Sequence, residues 1–538
     1  MLMNKTYTSL SLISAFLFFV GWPTFGYPIF LFLIFVPIFI IQKKIEEDVI
    51  KYKTIRFFFF SYLTFLLWNL STTWWLINAS LPGMILANTL NSLFFCIIFL
   101  IFQWAKKRLP LNSSYVLLVS TWVSFEKLHL YWSISWPWLN LGNGFSDTIY
   151  WVQWYEFTGI MGGTLWILII NILLFETFKN FKKPYTIKNI LYKSSKPIIG
   201  IASPILISLI IYVNLENSET KIKVLSVQPN IDPYNEKYLY SNEDLLLKFN
   251  EQIRKYYNED IDYILLPETY FSEGFGERLN NFQYNELNKK IQLSLNKLKQ
   301  SQLIAGIQFY NTYLDLNRTE TSNKIRKNLW IDYYNSAISS SSEGRINYYH
   351  KSKLVVGVET LPYAKFIMPI FGKYMIDLGG TVSNRVTQKN RSVFKHHQKK
   401  IFSAPVICYE SIYGEFVAEY IRLGADFFAI ISNDAWWGNT PGHRQLLSYT
   451  RLRAIENRRS IARSANTGIS AFINEKGEYL KKLDYEVKGT ILGQLPIIKR
   501  ITFYTRYGDY LGRIGILLFL LYFFIAASGR LKLDKKNY

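Results

Sequence analysis

Long apolar runs, almost free of charged side chains, fill the first 213 residues of the chain and return near its end. Most of them approach the roughly 20 residues that a helix needs to cross the hydrocarbon core of a bilayer. This pattern predicts a multi-pass α-helical membrane domain with about eight transmembrane helices, one of them within residues 511–538 together with a basic tail. The predicted spans are 8–24, 27–41, 57–77, 84–104, 114–125, 158–176, 197–213 and 511–528.

A different pattern occupies residues 214–510, where short apolar runs of β type alternate with amphipathic helices. Ser241 is placed to cap a helix over residues 241–257, because Asp244 follows three residues later and apolar residues then recur at helical spacing. Strand runs that are apolar on both faces and separated by such helices are typical of sheets covered by helices. We expect one α/β domain here, with the polar insert 311–328 as a surface loop. The main strand runs are KIKVLSVQPNI, DYILLPET, LIAGIQFY, YYNSAISS, APVICYE, DFFAIISND and GISAFIN.

Lysine and arginine are concentrated in every second link between the predicted spans. Because cytoplasmic loops carry this excess, both termini are expected in the cytoplasm and residues 214–510 on the far side of the membrane. Much of the formal net charge of +22 lies in these links, so topology explains it and nucleic-acid binding is rejected. The basic links carry Lys5; Lys43, Lys44, Lys51, Lys53 and Arg56; Lys106, Lys107 and Arg108; six lysines between 179 and 196; and Arg530, Lys532, Lys535 and Lys536.

The chain has only two cysteines, Cys96 within a predicted span and Cys408 in the polar region. No internal disulfide is expected between them, and Cys96 is interpreted as a packing residue. The five histidines show no helical metal-ligand spacing, and no glycine-rich phosphate loop follows a strand. We therefore predict neither a metal ion nor a nucleotide cofactor.

Three strand runs end in groups that could react. Glu268 ends DYILLPET, Lys351 lies in YYHKSKLVVGVE close to a competing Lys353, and Cys408 ends the apolar run of APVICYE. Each has an ordinary reading when taken alone: a strand-end carboxylate, a surface lysine and a buried thiol. Together they could form a working set, because a thiol needs a base or a cation before it attacks a carbonyl. The ammonium and a backbone N–H beyond Cys408 could then hold the oxyanion.

The order of these three groups resembles the nitrilase, or carbon–nitrogen hydrolase, superfamily, whose domains are αββα sandwiches. With membrane helices before and after, the chain is similar to the apolipoprotein N-acyltransferase branch of that superfamily, and the resemblance covers nearly its whole length. The motifs that carry it are SWPWLNLGN (135–143), VQPN (227–230), LLPET, YNSA (334–337), YHKSKLVVGVE (349–359), VICYE, SNDAWWGNTPGHRQ (432–445), RAIENRRSIARSANTGIS (453–470) and YTRYGD (504–509).

The resemblance implies that Glu268 is the general base, Lys351 the oxyanion-stabilising lysine and Cys408 the acylated nucleophile. Lys351 is preferred over Lys353 because the family's lysine lies eight residues before the glutamate that Glu359 matches. The supporting residues implied in the same way are Glu359, which would orient the site, Tyr409, Glu410 and Trp437, which would line it, and Tyr238 at an aromatic position. Residues 356–358, Val-Gly-Val, depart from the family's proline-containing pattern beside Glu359.

The implied reaction moves an acyl group from a membrane phospholipid through a Cys408 thioester to the α-amine of a diacylated lipoprotein, in the inner membrane of a bacterium. Two alternatives stay open. A membrane-tethered amidase would resolve the thioester with water, and a transporter or lipid-binding scaffold would perform no chemistry. The apolar segment 364–376 is either an interfacial arm or lid over the site or a buried core segment.

Overall fold

The computed structural model describes residues 4–179, 187–216, 218–232, 236–237, 239–319, 321–344, 346–360 and 384–529. The segment 364–376 and the predicted site residue Tyr238 lie outside these ranges. The chain forms two compact units, Met1–Leu215 together with Asp509–Tyr538, and Glu216–Gly508.

Helices build the first unit, and a separate set of helices covers the sheets of the second unit. Helices α1 to α8 and α14 belong to the first unit, and α9 to α13 belong to the second. The described helices of both units follow in chain order. They are α1 (Lys5–Gly21), α2 (Val36–Glu47), α3 (Lys53–Thr73), α4 (Leu81–Lys106), α5 (Leu111–His129), α6 (Tyr155–Thr158), α7 (Ile160–Lys179), α8 (Ile187–Asn214), α9 (Asn242–Ile253), α10 (Glu286–Leu295), α11 (Gly414–Arg422), α12 (Pro441–Asn457), α13 (Phe503–Tyr507) and α14 (Tyr510–Ser528).

Several helices of the first unit have the length and composition of membrane spans, which confirms the coarse prediction. Helices α1, α3 and α5 cover three further predicted segments, and the count of about eight spans stays a prediction. Within the described residues, the five stretches that are long and apolar enough to cross a membrane are Pro28–Glu47, Leu81–Lys106, Ile160–Lys179, Lys193–Asn214 and Tyr510–Ser528.

Helix α14 packs closely along α5, because glycines face that helix. A Cβ atom at Gly512 would lie 3.0 Å from the Lys127 side chain, and one at Gly515 would lie 3.0 Å from Val123. Lys127 Nζ also lies 3.2 Å from the Asp509 carboxylate, and both side chains are nearly buried. Small residues thus bring two helices together, as is common in membrane helix pairs.

The second unit contains fourteen strands among its described residues. They are β1 (Lys221–Gln228), β2 (Tyr263–Leu265), β3 (Glu277–Arg278), β4 (Gln302–Tyr313), β5 (Asn323–Arg326), β6 (Leu329–Ser340), β7 (Asn347–His350), β8 (Phe394–Lys395), β9 (Phe402–Ile407), β10 (Phe427–Ser432), β11 (Ile461–Ala465), β12 (Ser470–Ile473), β13 (Tyr479–Leu483) and β14 (Gly489–Pro496).

These strands form two mixed sheets. The first has the order β14-β1-β2-β4-β6-β5, with β3 beside β4 and β7 beside β6, and the second has the order β13-β12-β11-β10-β9-β8. Strands β1, β2 and β4 run parallel in the first sheet, and β9, β10 and β11 run parallel in the second. Parallel strands end at the same edge of a sheet, so both sheets offer an edge at which strand-end side chains can gather.

The sheets lie face to face between layers of helices. The rings of Tyr263 on β2 and Phe427 on β10 are 4.9 Å apart, and Ser464 Oγ on β11 donates to Val227 O on β1 at 2.7 Å. On the outer face of the first sheet, one apolar cluster joins β1, β2 and β4 to helices α9 and α10. Helix α11 lies against β9, where Tyr420 donates to a backbone carbonyl, and α12 packs on α11. The predicted α/β fold is confirmed.

The local sequence predicts the start of one helix correctly but predicts the wrong structure for one insert. Ser241 and Asp244 form a capping box at the start of α9, which ends at Ile253 and continues as one 3-10 turn rather than to residue 257. The insert 311–328, expected to be a loop, contains the end of β4 and the edge strand β5, so that expectation was wrong. A polar edge strand has no apolar face to mark it in a sequence, and this explains the error.

Candidate active site

The backbone turns sharply at Cys408, directly after strand β9. Cys408 adopts a left-handed conformation with φ of 50°, which costs a non-glycine residue about 1–2 kcal/mol. A one-turn 3-10 helix, Cys408–Ile412, begins there, and Ser411 Oγ donates to the carbonyl of Cys408 at 2.7 Å. The thiol is buried, with 6% of the residue exposed. The strand end and the turn therefore present a strained, sheltered thiol at the edge of the second sheet.

Glu268 lies where β2 loses its regular pairing. Thr269, the next residue, has φ of 49°, and the chain rejoins β4 at Phe271. Gly306 on β4 makes this bulge possible, because a Cβ atom there would lie 2.3 Å from Thr269 N and 2.6 Å from Glu268 Cα. The bulge re-aims a side chain that a regular strand would pack between neighbours.

The Glu268 carboxylate accepts three hydrogen bonds. Its Oε1 atom accepts from Lys351 Nζ at 2.8 Å and from Asn335 Nδ2 at 2.8 Å. Its Oε2 atom accepts from the backbone N–H of Asn433 at 3.0 Å. A carboxylate offers about four lone-pair sites, two on each oxygen. Oε1 is therefore filled by its two donors, whereas Oε2 keeps one site for a proton.

Lys351 is buried between two carboxylates. It follows β7, and its backbone N–H donates to Asn335 O at 2.8 Å. Its ammonium lies 2.8 Å from Glu268 Oε1 and 2.9 Å from Glu359 Oε2. Burial alone would lower the pKa of Lys351, but the charges of Glu268 and Glu359 outweigh it and raise that pKa above its ordinary value. The lysine is therefore held as a cation.

Glu359 reaches Lys351 although residues 356–358 depart from the family pattern. A tight turn over 355–359, with Gly357 at φ of 83°, brings its carboxylate back to Val355 N at 2.9 Å. Asn335 Nδ2 donates to Glu359 Oε1 at 2.9 Å. Burial opposes ionisation here, but the charge of Lys351 leads the effects that lower the pKa of Glu359. Two carboxylates thus share one ammonium and one amide.

The Cys408 thiol is neutral at rest. Burial is the largest cause that raises its pKa, and the negative charge of Glu268 raises it further, while the charge of Lys351 lowers it. The balance lies well above the ordinary value of a cysteine. A thiol in this state reacts only when a base takes its proton during the attack.

Glu410 ties the cysteine turn to the lysine loop. It is fully buried, and it accepts from Ile407 N at 2.8 Å, Ser352 N at 2.7 Å and the Tyr349 hydroxyl at 2.7 Å. Burial is the main reason why the pKa of Glu410 is raised. Its two carboxylate oxygens thus accept hydrogen bonds from the cysteine turn and from the lysine loop. These contacts are typical of a residue that holds two loops together.

Two further predicted residues, Tyr409 and Trp437, lie within the described part of the chain, as does Lys353. Tyr409 is buried with its ring 5.4 Å from that of Tyr413. Trp437 is nearly buried at the end of the 3-10 turn Asp434–Trp437. Lys353, the competitor for the lysine role, has its ammonium over the Tyr413 ring at 4.7 Å. Lys351 is the lysine that meets Glu268.

Sequence reasoning missed two polar residues of this site. Asn335 lies inside the YNSA motif, for which the family resemblance implies no catalytic role. A buried asparagine within an apolar strand needs hydrogen-bond partners, and this signal could have pointed to it. Lys237 is also buried and donates to the Thr269 hydroxyl; burial lowers the pKa of Lys237 to about 8 against the charge of Glu268. Nothing in its surrounding sequence marked it.

Comparisons of the whole chain with known protein families agree with this fold and this site. The chain belongs to the carbon–nitrogen hydrolase family, whose model matches residues 223–499. Residues 14–173 match the model of the apolipoprotein N-acyltransferase N-terminal domain. The two matches confirm the resemblance expected from the sequence, in the membrane part as well as in the α/β part.

Proteins that are similar to this chain along most of their length carry the name apolipoprotein N-acyltransferase. The apolipoprotein N-acyltransferase of Chlorobaculum tepidum is 28% identical over 461 residues, which are 84% of this chain and 84% of that protein. The protein of that name from Rickettsia typhi is 27% identical and covers 74% of each chain. Among solved structures, an amidase of the nitrilase superfamily from Nesterenkonia AN1 is similar at 14% identity over 56% of this chain and 98% of that chain, with a TM-score of 0.37.

Proposed function

We propose that this protein transfers a fatty acyl group from a membrane phospholipid to the α-amine of a diacylglyceryl-modified N-terminal cysteine of lipoproteins. The observation that carries the proposal is the buried Glu268–Lys351 ion pair beside the Cys408 thiol, in a chain that also has a unit of apolar helices. The names of the relatives support the same acyl-transfer reaction.

In the first half-reaction, Cys408 Sγ attacks an ester carbonyl of the phospholipid. Its proton passes to Glu268, at the open site on Oε2. The carbonyl oxygen becomes an oxyanion that the Lys351 ammonium stabilises, together with a backbone N–H beyond Cys408. The C–O bond then breaks, the leaving alkoxide takes the proton from Glu268, and a lysophospholipid departs. An acyl thioester is left on Cys408.

In the second half-reaction, the neutral α-amine of the acceptor attacks the thioester carbonyl. Glu268 accepts one N–H proton, and Lys351 again faces the oxyanion. The C–S bond breaks as the amide forms, and the proton held by Glu268 returns to the cysteine sulfur. Both halves use the same base and cation, so one site performs a ping-pong reaction with no other cofactor in the scheme.

The supporting residues then have distinct roles. Glu359 is a second carboxylate that holds the Lys351 ammonium, and Glu410 keeps the cysteine turn against the lysine loop. Tyr409 and Trp437 would line the path of the acyl chain. Tyr238 is retained as an aromatic contact for the substrate, on the strength of the family resemblance alone.

We further propose a multi-pass arrangement with about eight spans in the bacterial inner membrane. Both termini would be cytoplasmic, and the α/β domain would face the periplasm, where diacylated lipoproteins emerge. The alternating basic links support this orientation. Cysteine accessibility at single positions, for example in the link between α3 and α4, would test it in intact cells.

The test of function is mass spectrometry of the full-length protein purified from membranes. The Cys408 peptide is expected to carry a fatty-acyl mass, which a Cys408→Ala variant lacks. A diacylated lipopeptide should discharge that acyl group and gain it as an amide. Discharge without any acceptor would instead favour the membrane-tethered amidase, and a Cys408→Ala variant with full biological activity would favour the transporter or scaffold.

A further inference from the structure

Ser432 occupies the position next to Cys408 at the edge of the second sheet. Strands β9 and β10 run parallel with Ile407 opposite Ile431. The next residue on each chain segment is Cys408, directly after β9, and Ser432, the last residue of β10, so these two lie side by side. Ser432 is fully buried. Among the groups that set the pKa of the Cys408 thiol, the Ser432 side chain lowers it, as a hydroxyl close to the sulfur does. The reacting sulfur therefore has a neighbour that the three-residue set of Glu268, Lys351 and Cys408 does not include.

A buried ion pair holds the Ser432 hydroxyl from its other side. Ser432 Oγ donates to Asp434 Oδ1, and Asp434 Oδ2 accepts from Arg463 Nη2, which extends from β11. Neither side chain of the Asp434–Arg463 pair is exposed. A Cβ atom at Gly468 would lie 2.5 Å from Asp434 Oδ2, so a glycine leaves room for this carboxylate.

The same turn also holds the base. Asn433, between Ser432 and Asp434, gives its backbone N–H to Glu268 Oε2. Ser432, the last residue of β10, thus lies beside Cys408, and the two residues after it contact the proposed base and a buried arginine. A shift of this turn would move the sulfur and the carboxylate relative to each other.

A serine hydroxyl has one hydrogen to donate and lone pairs to accept with. While the thiol is neutral, the hydrogen points to Asp434 and Ser432 Oγ can accept the S–H hydrogen. Once Glu268 has removed the thiol proton, rotation about the C–O bond lets the hydroxyl donate to the thiolate. Asp434 loses that donor but keeps Arg463, so the rotation leaves no buried charge without a partner.

We propose that Ser432 is a further catalytic residue, which orients the Cys408 thiol and donates a hydrogen bond to the thiolate as it forms. Asp434 and Arg463 are the positioning residues that hold its hydroxyl. The inference rests on the proposed role of Cys408 as nucleophile. A hydrogen bond to a charged group contributes about 1.5–3 kcal/mol, which corresponds to about a 10- to 100-fold change in an equilibrium constant.

The test measures alkylation of Cys408 by iodoacetamide in the full-length, detergent-purified protein, from neutral to alkaline pH, with the modified peptide quantified by mass spectrometry. Ser432→Ala is expected to alkylate about 10- to 100-fold more slowly at neutral pH and to shift the pH profile upward. Ser432→Thr keeps a hydroxyl and should restore most of the rate. In the acyl-transfer assay, kcat should fall while the KM for phospholipid changes little.

Ser464→Ala is the matched control. Ser464 is a buried serine on the neighbouring strand β11 whose hydroxyl donates to Val227 O at 2.7 Å, so its loss removes one buried hydrogen bond away from the sulfur. Its alkylation profile should match that of the unaltered protein. If Ser464→Ala and Ser432→Ala slow alkylation equally, the effect is structural and the inference fails.

An alkylation rate in Ser432→Ala equal to that of the unaltered protein would also overturn the inference. If the alanine variant does not accumulate, Ser432→Cys keeps the size of the side chain with a weaker donor, and an unaltered rate there decides against the hydroxyl. Failure of the proposed function would look different, since Cys408→Ala would then retain acyl transfer whatever the alkylation rates are.

Discussion

Replacement of Lys351 by methionine should turn the buried centre from a stabilised cluster into a repulsive one. Lys351 carries one positive charge between Glu268 and Glu359, at 2.8 Å and 2.9 Å, and their side chains are 2%, 7% and 11% exposed. Methionine keeps the apolar stem but leaves two facing carboxylates. Removal of one partner from a buried ion pair costs about 3–5 kcal/mol. For a unit of this size that corresponds to a fall in Tm on the order of 10 °C.

The loss should depend on pH in a defined direction. In the unaltered protein the pKa of Glu359 is lowered, so its stabilising effect is present at neutral pH and is lost as pH falls through that pKa. Without Lys351, repulsion and burial raise the pKa of one carboxylate, and the folded variant then binds a proton that the unfolded chain does not. The stability gap between Lys351→Met and the unaltered protein should therefore widen as pH rises from about 4.3.

Thermal unfolding of the detergent-solubilised protein, followed by intrinsic tryptophan fluorescence at several pH values, measures both effects. The double variant Lys351→Met/Glu359→Gln restores the original net charge of the cluster and should recover part of the lost Tm without recovering acyl transfer. A gap that is independent of pH, with no recovery in the double variant, would refute the reasoning and assign the loss to packing.

Three further changes test the frame of the site. Asn335→Leu removes the amide that donates to both carboxylates and should slow single-turnover acylation of Cys408 at least about tenfold; an unaltered rate would contradict this. Lys237→Met should raise Tm at neutral pH, because the pKa of this buried lysine is about 8 in the folded protein against about 10.4 when unfolded, a difference that costs about 3 kcal/mol. The gain in Tm should shrink as pH rises between these two pKa values. A gain that does not change with pH would count against the argument. Glu410→Ala removes the acceptor of three backbone N–H groups and should lower both Tm and the alkylation rate of Cys408, with Glu410→Gln closer to the unaltered protein. Equal Tm values in all three proteins would exclude this role.

The parts of the site that the sequence predicted are those with local signals. Glu268 and Cys408 come directly after or near the end of an apolar run, and β2 and β9 end within three residues of them. Lys351 follows β7, Asn347–His350, and the spacing of the family motif before Glu359 distinguished it from Lys353. A strand must stop where its apolar pattern stops, and the next side chain faces the sheet edge. The apolar helices were predictable for a similar reason, since length and hydropathy alone define a candidate span.

The rest depends on contacts between distant parts of the chain. Asn335 meets Glu268 only because β4 and β6 pair in the observed register, and Lys351 meets both through the pairing of β6 with β7. Gly306 is required because a Cβ atom there would lie 2.3 Å from Thr269 N, and no local pattern in the sequence indicates this close approach. Ser432 becomes a neighbour of Cys408 through parallel pairing of two strands twenty residues apart in the chain. A single sequence does not show the register in which distant strands pair.

The distribution of donors around Glu268 is compatible with one carboxylate serving both of the proposed half-reactions. Lys351 and Asn335 fill Oε1, so this oxygen stays anchored to the cation that would face the oxyanion in the proposed mechanism. The backbone N–H of Asn433 takes one site on Oε2 and leaves the other open. A proton can therefore arrive and leave at Oε2 without any break in the Glu268–Lys351 contact. In the proposed mechanism, Glu268 exchanges its proton while Lys351 stays in place, so the same pair can serve the attack by the Cys408 sulfur and the later attack by the amine on the thioester carbonyl.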